Sequence, residues 1–327
     1  MTKTTVARVH QAGDPEVIRL EEISLADPAQ GEVTIRHTAI GLNFQDIYMR
    51  SGLYPVPTPF GLGNEAAGVV EKVGPGVTDF KEGDRVCYAG GPGFEAYSVR
   101  RNFPVARLLH TPAGIQDEQA AAILLKGMTV EYLMHRCFPV KPGMSVLFHA
   151  AAGGVGLLAG QWGRDLGARM IGVAGSPEKC RLAVQNGYEV CLDRKKDDIA
   201  AKARELTQGK GVPVVFDSVG KDSFEASLNS LAARGYFVSF GQTTGHPPPV
   251  TGAMLQKLGS LYFTRPTLVT YTADSQEMRE SAAMVFDRLK HGVLKVSINQ
   301  RYALSDVVRA HRDLQAGTTS GSTIITP

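Results

Sequence analysis

The stretch VLFHAAAGGVGLLAGQWGRDLGARMIGVAG, Val146 to Gly175, constrains the fold more than any other part of the chain. An apolar strand-like run, SVLFHA, ends in a glycine-rich turn, and Val155, Leu158, Ala159, Trp162 and Leu166 then trace one face of a helix. In AAAGGVG the residues Ala151, Gly153 and Gly156 take the three positions of G-x-G-x-x-G. That turn brings a dinucleotide's pyrophosphate against the backbone at a helix N-terminus, where free N–H groups and a partial positive charge await it. The second glycine must admit the phosphate, whereas the first only makes the turn, so alanine is tolerable at 151. Strand, turn and helix in this order predict a βαβ unit that holds a dinucleotide.

The rest of the chain falls into two rhythms around this unit. From Val6 to about Arg107, short runs such as EVTIRHTAI, AAGVVEKVG and DRVCYA are punctuated by Gly, Pro and Asp, the pattern of a mostly β region with tight turns. After HTPAGIQDEQAAAILLKGMTVEYLM, strand-like and helical runs alternate through RMIGVAG, YEVCL, VPVVFDSV, GYFVSFG and SLYFTRP. Alternation of this kind predicts an α/β arrangement, a doubly wound parallel sheet with helices on both faces. The segments beyond Pro266, SQEMRESAAMVFDRLKHG and LKVSINQRYALSDVVRAHRDLQAG with a final STIIT, do not extend that domain naturally and are assigned to the first. The expected domains are therefore 1–124 with 267–327, and 125–266 for the nucleotide. A ligand site is expected in the cleft between them.

Composition removes several function classes. At 327 residues, 43% hydrophobic and 20% charged, the chain has the make-up of a globular protein of about two domains. A net charge of +3 does not argue for a nucleic-acid partner, and the densest charge run, DRKKDD at Asp193 to Asp198, is mixed in sign. Cys87, Cys137, Cys180 and Cys191 stand far apart without a C-x-x-C pair, which suits a reducing compartment better than a disulfide framework or zinc knuckle. The N-terminal MTKTTVARVH lacks the apolar core of a signal peptide, and no apolar run reaches a membrane-spanning length. The expected location is the cytoplasm.

The second strand of the βαβ unit decides which dinucleotide is bound. An NAD site would place Asp or Glu about 20 residues past the turn, on the ribose hydroxyls. Here the chain reads GVAGSPEK, with Gly175 and Ser176 where that acid would stand and Lys179 a turn further. A carboxylate repels a 2′-phosphate, whereas a hydroxyl and an ammonium attract it. The expected cofactor is NADPH. Ser176-Pro177 also reads as the N-cap and first residue of the next helix, and both roles can hold at once.

With these residues in hand, the chain resembles the zinc-free medium-chain dehydrogenases/reductases, and within them the NADPH:quinone oxidoreductases related to zeta-crystallin. The likeness rests on GMSVLFHAAAGGVGLLAGQWGR, Gly143 to Arg164, which is similar to that family's signature throughout, and on AIGLNFQDIYMRSGLYP, GNEAAGVVEKVGPGV, LLKGMTVEYL, VVFDSVG and SLYFTRPTL, which follow its order and spacing. It implies a GroES-like β domain built from both termini, a Rossmann domain between them, and a homodimer. Zinc-dependent relatives carry Cys and Gly-His-Glu where this chain has Asn43 and Gly63-Asn64-Glu65. An amide is a poor zinc ligand, so no catalytic metal is expected. Hydride transfer is then left to acceptors that are already electrophilic.

By the same resemblance Asn43, Asp46, Tyr48 and Tyr54 line the nicotinamide pocket as the catalytic set, with Lys126 and Thr129 at the domain crossing. Gly153, Gly154 and Val155 cradle the pyrophosphate, and Ser176 and Lys179 meet the 2′-phosphate. Ser218 and Val219 after VVFD, and Phe240 and Gly241 at the end of VSFG, border the nicotinamide. One departure is Asp193, where relatives often carry a Tyr for the adenosine phosphate. An acid there weakens a phosphate site unless it points away or pairs with Arg194, itself a candidate cofactor contact. His149 reads as a hydrogen-bonded strand end, and a buried Lys126 asks for a partner, with Glu65 the first to consider. The reading is an NADPH-dependent quinone oxidoreductase. Its rivals are reduction of an α,β-unsaturated carbonyl and, in another class, an NADPH-modulated RNA-binding or structural crystallin-like protein.

Overall fold

The computed structural model describes residues 2–327. Two units emerge, one made of the chain up to Leu125 together with Val296–Pro327, the other of Lys126–Lys295.

The first unit is mostly β. Its strands are β1 (Thr2–Val9), β2 (Ile18–Leu25), β3 (Glu32–Leu42), β4 (Phe60–Gly61), β5 (Glu65–Val73), β6 (Arg85–Ala89), β7 (Arg100–Pro104) and β8 (Leu109–His110). Alternating burial marks β1 as a half-buried strand, and it pairs antiparallel with β2 along its whole length. β3 is the hub of the larger sheet, antiparallel to β5 and to β7. Val33, Ile35, Ile40, Val70, Val86 and Phe103 fill the core between these strands. A short helix, α1 (Phe44–Arg50), leaves the end of β3, and α2 (Asp117–Glu131) closes the segment.

The second unit carries β9 (Ser145–His149), α3 (Gly154–Asp165), β10 (Arg169–Ala174), α4 (Pro177–Gln185), β11 (Val190–Asp193), α5 (Ile199–Leu206), β12 (Val212–Asp217), α6 (Phe224–Ser230), β13 (Leu231–Ser239), α7 (Gly252–Lys257) and β14 (Tyr262–Thr264). The strands form one sheet in the order β11-β10-β9-β12-β13-β14, and every pair is parallel. Strands buried on both faces read as continuous apolar runs, as in β10 and β12, and helices cover them. This is the doubly wound order, in which the direction of winding reverses between β9 and β12.

The segment after Pro266 corrects one expectation. Residues 267–295, assigned from sequence to the first domain, belong to the second unit through α8 (Leu268–Tyr271) and α9 (Ser275–Lys290). α9 turns Met278, Ala282, Val285 and Phe286 inward, and Val285 occupies the space above Gly127 on α2. Polar contacts fix the same docking: Ser281 Oγ donates to Glu131 Oε2 at 2.6 Å, Arg288 pairs with Asp165 at 2.7 Å, and Lys295 N–H donates to Gln161 Oε1 at 2.7 Å. The chain returns to the first unit only at Val296. There β15 (Ile298–Ala303) and β16 (Ser322–Thr326) join the edge of the β3 sheet, with α10 (Val307–Gln315) between them.

Candidate active site

The glycine-rich turn follows β9 as the sequence requires. Ala150 takes a left-handed φ of 53°, and Gly153 is the N-cap of α3. Gly153 has no side chain to bond the first N–H groups of α3, which leaves those of Gly154, Val155 and Gly156 to an external anion. A Cβ on Gly156 would lie 2.3 Å from the Ala150 carbonyl, so nothing larger than glycine lets helix and turn close this tightly. The alanine at the first motif position is compensated from elsewhere. Ala151 is fully buried, and its methyl sits where a side chain on Gly172 of β10 would come within 2.8 Å. A glycine on the neighbouring strand houses the carbon that the turn gained.

At the end of β10 the expected phosphate-binding residues gather. Ser176 caps α4, its Oγ accepting the Lys179 N–H at 3.3 Å. Burial, then the charges of Arg194 and Lys195, hold the Lys179 ammonium below its ordinary pKa. Arg194 folds over the turn, its Nε 3.2 Å from where a Cβ on Gly175 would stand. Asp193 is engaged by the backbone of its own loop. Its Oδ1 accepts the Lys195 N–H at 3.0 Å, and its own N–H donates to Asp197 Oδ2 at 2.7 Å, so the acid is used to shape the loop after β11.

Across the reversal point, the loops after β12 and β13 are zipped together. Phe240 N–H donates to the Asp217 carbonyl at 2.8 Å, Thr243 N–H to that of Ser218 at 3.1 Å and Thr244 N–H to that of Val219 at 2.9 Å. Gly241 packs on Ser218 with no room for a Cβ. Asp217 itself, buried at the end of β12, was not singled out by sequence; a lone carboxylate closing an apolar strand was the available signal. Lys126 and Thr129 lie one turn apart on α2, both buried.

In the first unit Asn43 caps α1 and donates from Nδ2 to Glu65 Oε1 at 2.9 Å, while Glu65 Oε2 accepts the Leu125 N–H at 2.9 Å. Asp46 is fully buried, and its Oδ2 accepts the Asn43 N–H at 2.9 Å and the Tyr97 hydroxyl at 2.8 Å. Burial and the neighbouring Asp46 charge push the Tyr97 phenol up. Tyr48 and Tyr54 meet edge to face with centroids 5.1 Å apart, and Phe44 flanks Tyr48 at 6.1 Å. The structure thus brings Asn43, Asp46, Tyr48 and Tyr54 to one short helix and the loop that follows it. The donor set does not fit zinc: Asn43 and Asn64 spend their amides on Glu65 and on Gln45 Oε1, 3.0 Å away, and no group of three His, Cys, Asp or Glu side chains suited to a metal occurs among the described residues.

Comparison with known proteins agrees with this architecture. Residues 29–142 match the model of the alcohol dehydrogenase GroES-like domain, and residues 154–287 that of the zinc-binding dehydrogenase family. The quinone oxidoreductase of Pseudomonas aeruginosa is 49% identical over 96% of this chain and 97% of its own length. Quinone oxidoreductase 1 of Escherichia coli is 45% identical over 97% of this chain and 98% of its own. The crystal structure of the Escherichia coli quinone oxidoreductase complexed with NADPH superposes with a TM-score of 0.96 at 44% identity, covering 99% of this chain and 100% of that one. With fold, glycine turn and sequence matched from end to end, the chain belongs to the quinone oxidoreductase family of the medium-chain dehydrogenases/reductases.

Proposed function

We propose that the protein is an NADPH-dependent quinone oxidoreductase. The observation that carries the cofactor choice is the group Lys179, Arg194 and Lys195 at the ends of β10 and β11, with Asp193 engaged by the backbone of its own loop. Bound NADPH supplies a hydride to the acceptor. The N-terminal N–H groups of α3, at Gly154, Val155 and Gly156, hold the pyrophosphate, and the close approach at Gly153 keeps side chains out of its way. Ser176, Lys179 and Arg194 hold the 2′-phosphate. Ser218, Val219, Phe240 and Gly241 position the nicotinamide end, with Lys126 and Thr129 contributing from α2.

In this reading Asn43, Tyr48 and Tyr54 contact the acceptor, and the aromatic pair presents a flat wall to a planar quinone. Asp46 is a positioning residue: it holds the start of α1 through the Asn43 N–H and thereby fixes Asn43 and Tyr48. A quinone reduced by hydride takes its protons on oxygen from water, so no side chain has to serve as the acid. A homodimer belongs to the same proposal, with the edge strand β14 and the exposed Tyr262 and Val269 beside it as the contact surface. So does a cytoplasmic location, in keeping with four free thiols.

Steady-state oxidation of NADPH against quinones, enones and aldehydes tests the acceptor class. Quinones should be turned over fastest, and Tyr48→Phe and Tyr54→Phe should lower kcat only a few fold through lost positioning. Enones turned over faster than quinones, with a loss of ~100-fold or more in either variant, would mean that a phenol is the proton donor and the acceptor an activated alkene.

A further inference from the structure

The reversal of winding between β9 and β12 opens a crevice at the carboxyl ends of these two strands. Three buried side chains bridge it. Asp217, the last residue of β12, accepts on Oδ1 from the N–H groups of Val219 at 2.7 Å and Gly220 at 3.2 Å and from Ser223 Oγ at 2.9 Å. Its Oδ2 accepts the hydroxyl of Ser227, on α6, at 2.5 Å. The Ser227 oxygen lies 3.0 Å from Nε2 of His149, the last residue of β9. Since the serine proton points to the carboxylate, Nε2 must be the donor to the serine oxygen, which sets the tautomer of a neutral imidazole. Burial, chiefly, holds that ring below the ordinary histidine range. The same three residue types make a nucleophilic triad elsewhere, but here the proton order is reversed: the imidazole donates to the hydroxyl and cannot take its proton.

We propose that Asp217, Ser227 and His149 form a positioning relay that sets the separation of the two loops lining this crevice, residues 150–156 and 218–220. The proposal rests on the reading that the nicotinamide dinucleotide lies along these loops. The covalent chain makes the transmission short. Ala150, with its left-handed backbone, follows His149 directly, and its carbonyl is the surface on which Gly156 closes. Ser218 follows Asp217 directly and is tied to the loop at Thr243. A hydrogen bond to a buried carboxylate is among the stronger ones in a protein, so the relay holds both loops ready before the dinucleotide arrives. None of the three residues touches the reacting atoms.

The test uses Ser227→Ala, the rescue variant Ser227→Thr, and ring ¹⁵N NMR of histidine-labelled protein with the His149 signals assigned through His149→Gln. Wild-type His149 should be a neutral ring protonated at Nε2. In Ser227→Ala the dissociation constant of NADPH, followed by its fluorescence, should rise about 10-fold while KM for a benzoquinone moves less than about 2-fold. Ser227→Thr keeps the hydroxyl and should restore most of the affinity. A ring protonated at Nδ1 in the wild type would overturn the relay whatever the variants do, including a variant that fails to fold. So would a Ser227→Ala protein of lowered Tm and unaltered NADPH affinity, or one in which NADPH affinity and quinone KM weaken together. A wild-type enzyme that prefers NADH would count against the cofactor reading alone, and the relay is then scored with NADH by the same criteria.

Discussion

Lys179 stands beside Arg194 and Lys195 with part of its side chain withdrawn from water, and burial first, then those charges, hold its ammonium below the ordinary range. A 2′-phosphate is attracted to such a group of cations, and one charge-assisted contact is worth roughly 1.5–3 kcal/mol. Replacing Lys179 by Glu should therefore lower kcat/KM for NADPH at least ~10-fold and leave NADH nearly unaffected, a comparison that steady-state kinetics makes directly. The missing acid after β10 and the lysine that follows were legible in the sequence because they lie at a fixed distance from the glycine turn. The direction of Asp193 was not. Its carboxylate is taken by the backbone of its own loop, a matter of backbone torsion that residue spacing does not encode. Asp46 shows the same limit: the resemblance places it in the nicotinamide pocket, while the Tyr97 hydroxyl that bonds its carboxylate comes from 51 residues away.

Among elements, the turn between β9 and α3 shows how a departure from a motif is absorbed. Ala151 and Gly172 are complementary partners on adjacent parts of one fold, 21 positions apart in sequence. Gly172→Ala would bring its methyl to 2.8 Å from that of Ala151 and 3.0 Å from the Tyr188 ring, and should destabilise the second unit by about 1–3 kcal/mol. Adding Ala151→Gly should return part of that loss, and a double-mutant cycle in urea measures the coupling. A result in which the two changes simply add would contradict the packing described. The doubly wound sheet could be read from alternation of period, since six strands and their helices follow one another without interruption. The docking of α9 could not. Its amphipathic pattern specifies a buried face but not the surface that receives it, and the contacts of Ser281 and Val285 with α2 decide the matter.

For the molecule as a whole, buried neutral histidines set the response to acid. His37 and His311 are fully buried in the first unit, and desolvation pushes each down to about 3. Their folded pKa values lie below the unfolded value near 6.5, so between the two the unfolded chain binds more protons. Stability is complete above about pH 6.5 and is lost as the pH falls toward 3. From pH 7.5 to 5.0 the two rings together should remove about 4 kcal/mol. His311 packs edge-on against Tyr97 and makes no hydrogen bond through either ring nitrogen, so His311→Leu is the suitable probe. Urea unfolding at the two pH values should show about 2 kcal/mol less acid destabilisation in that variant than in the parent. An unchanged difference would mean that His311 is not held neutral.

At the same scale, a glycine turn that accepts a pyrophosphate, cations in place of an acid at the end of β10 and relatives matched from end to end converge on one activity, reduction of a quinone by NADPH. The most direct measurement is kcat/KM for NADPH and for NADH with a benzoquinone as acceptor. The account predicts rapid quinone reduction and a preference for NADPH of at least ~10-fold. Equal use of the two cofactors, or NADPH oxidation that a quinone does not accelerate, would contradict it.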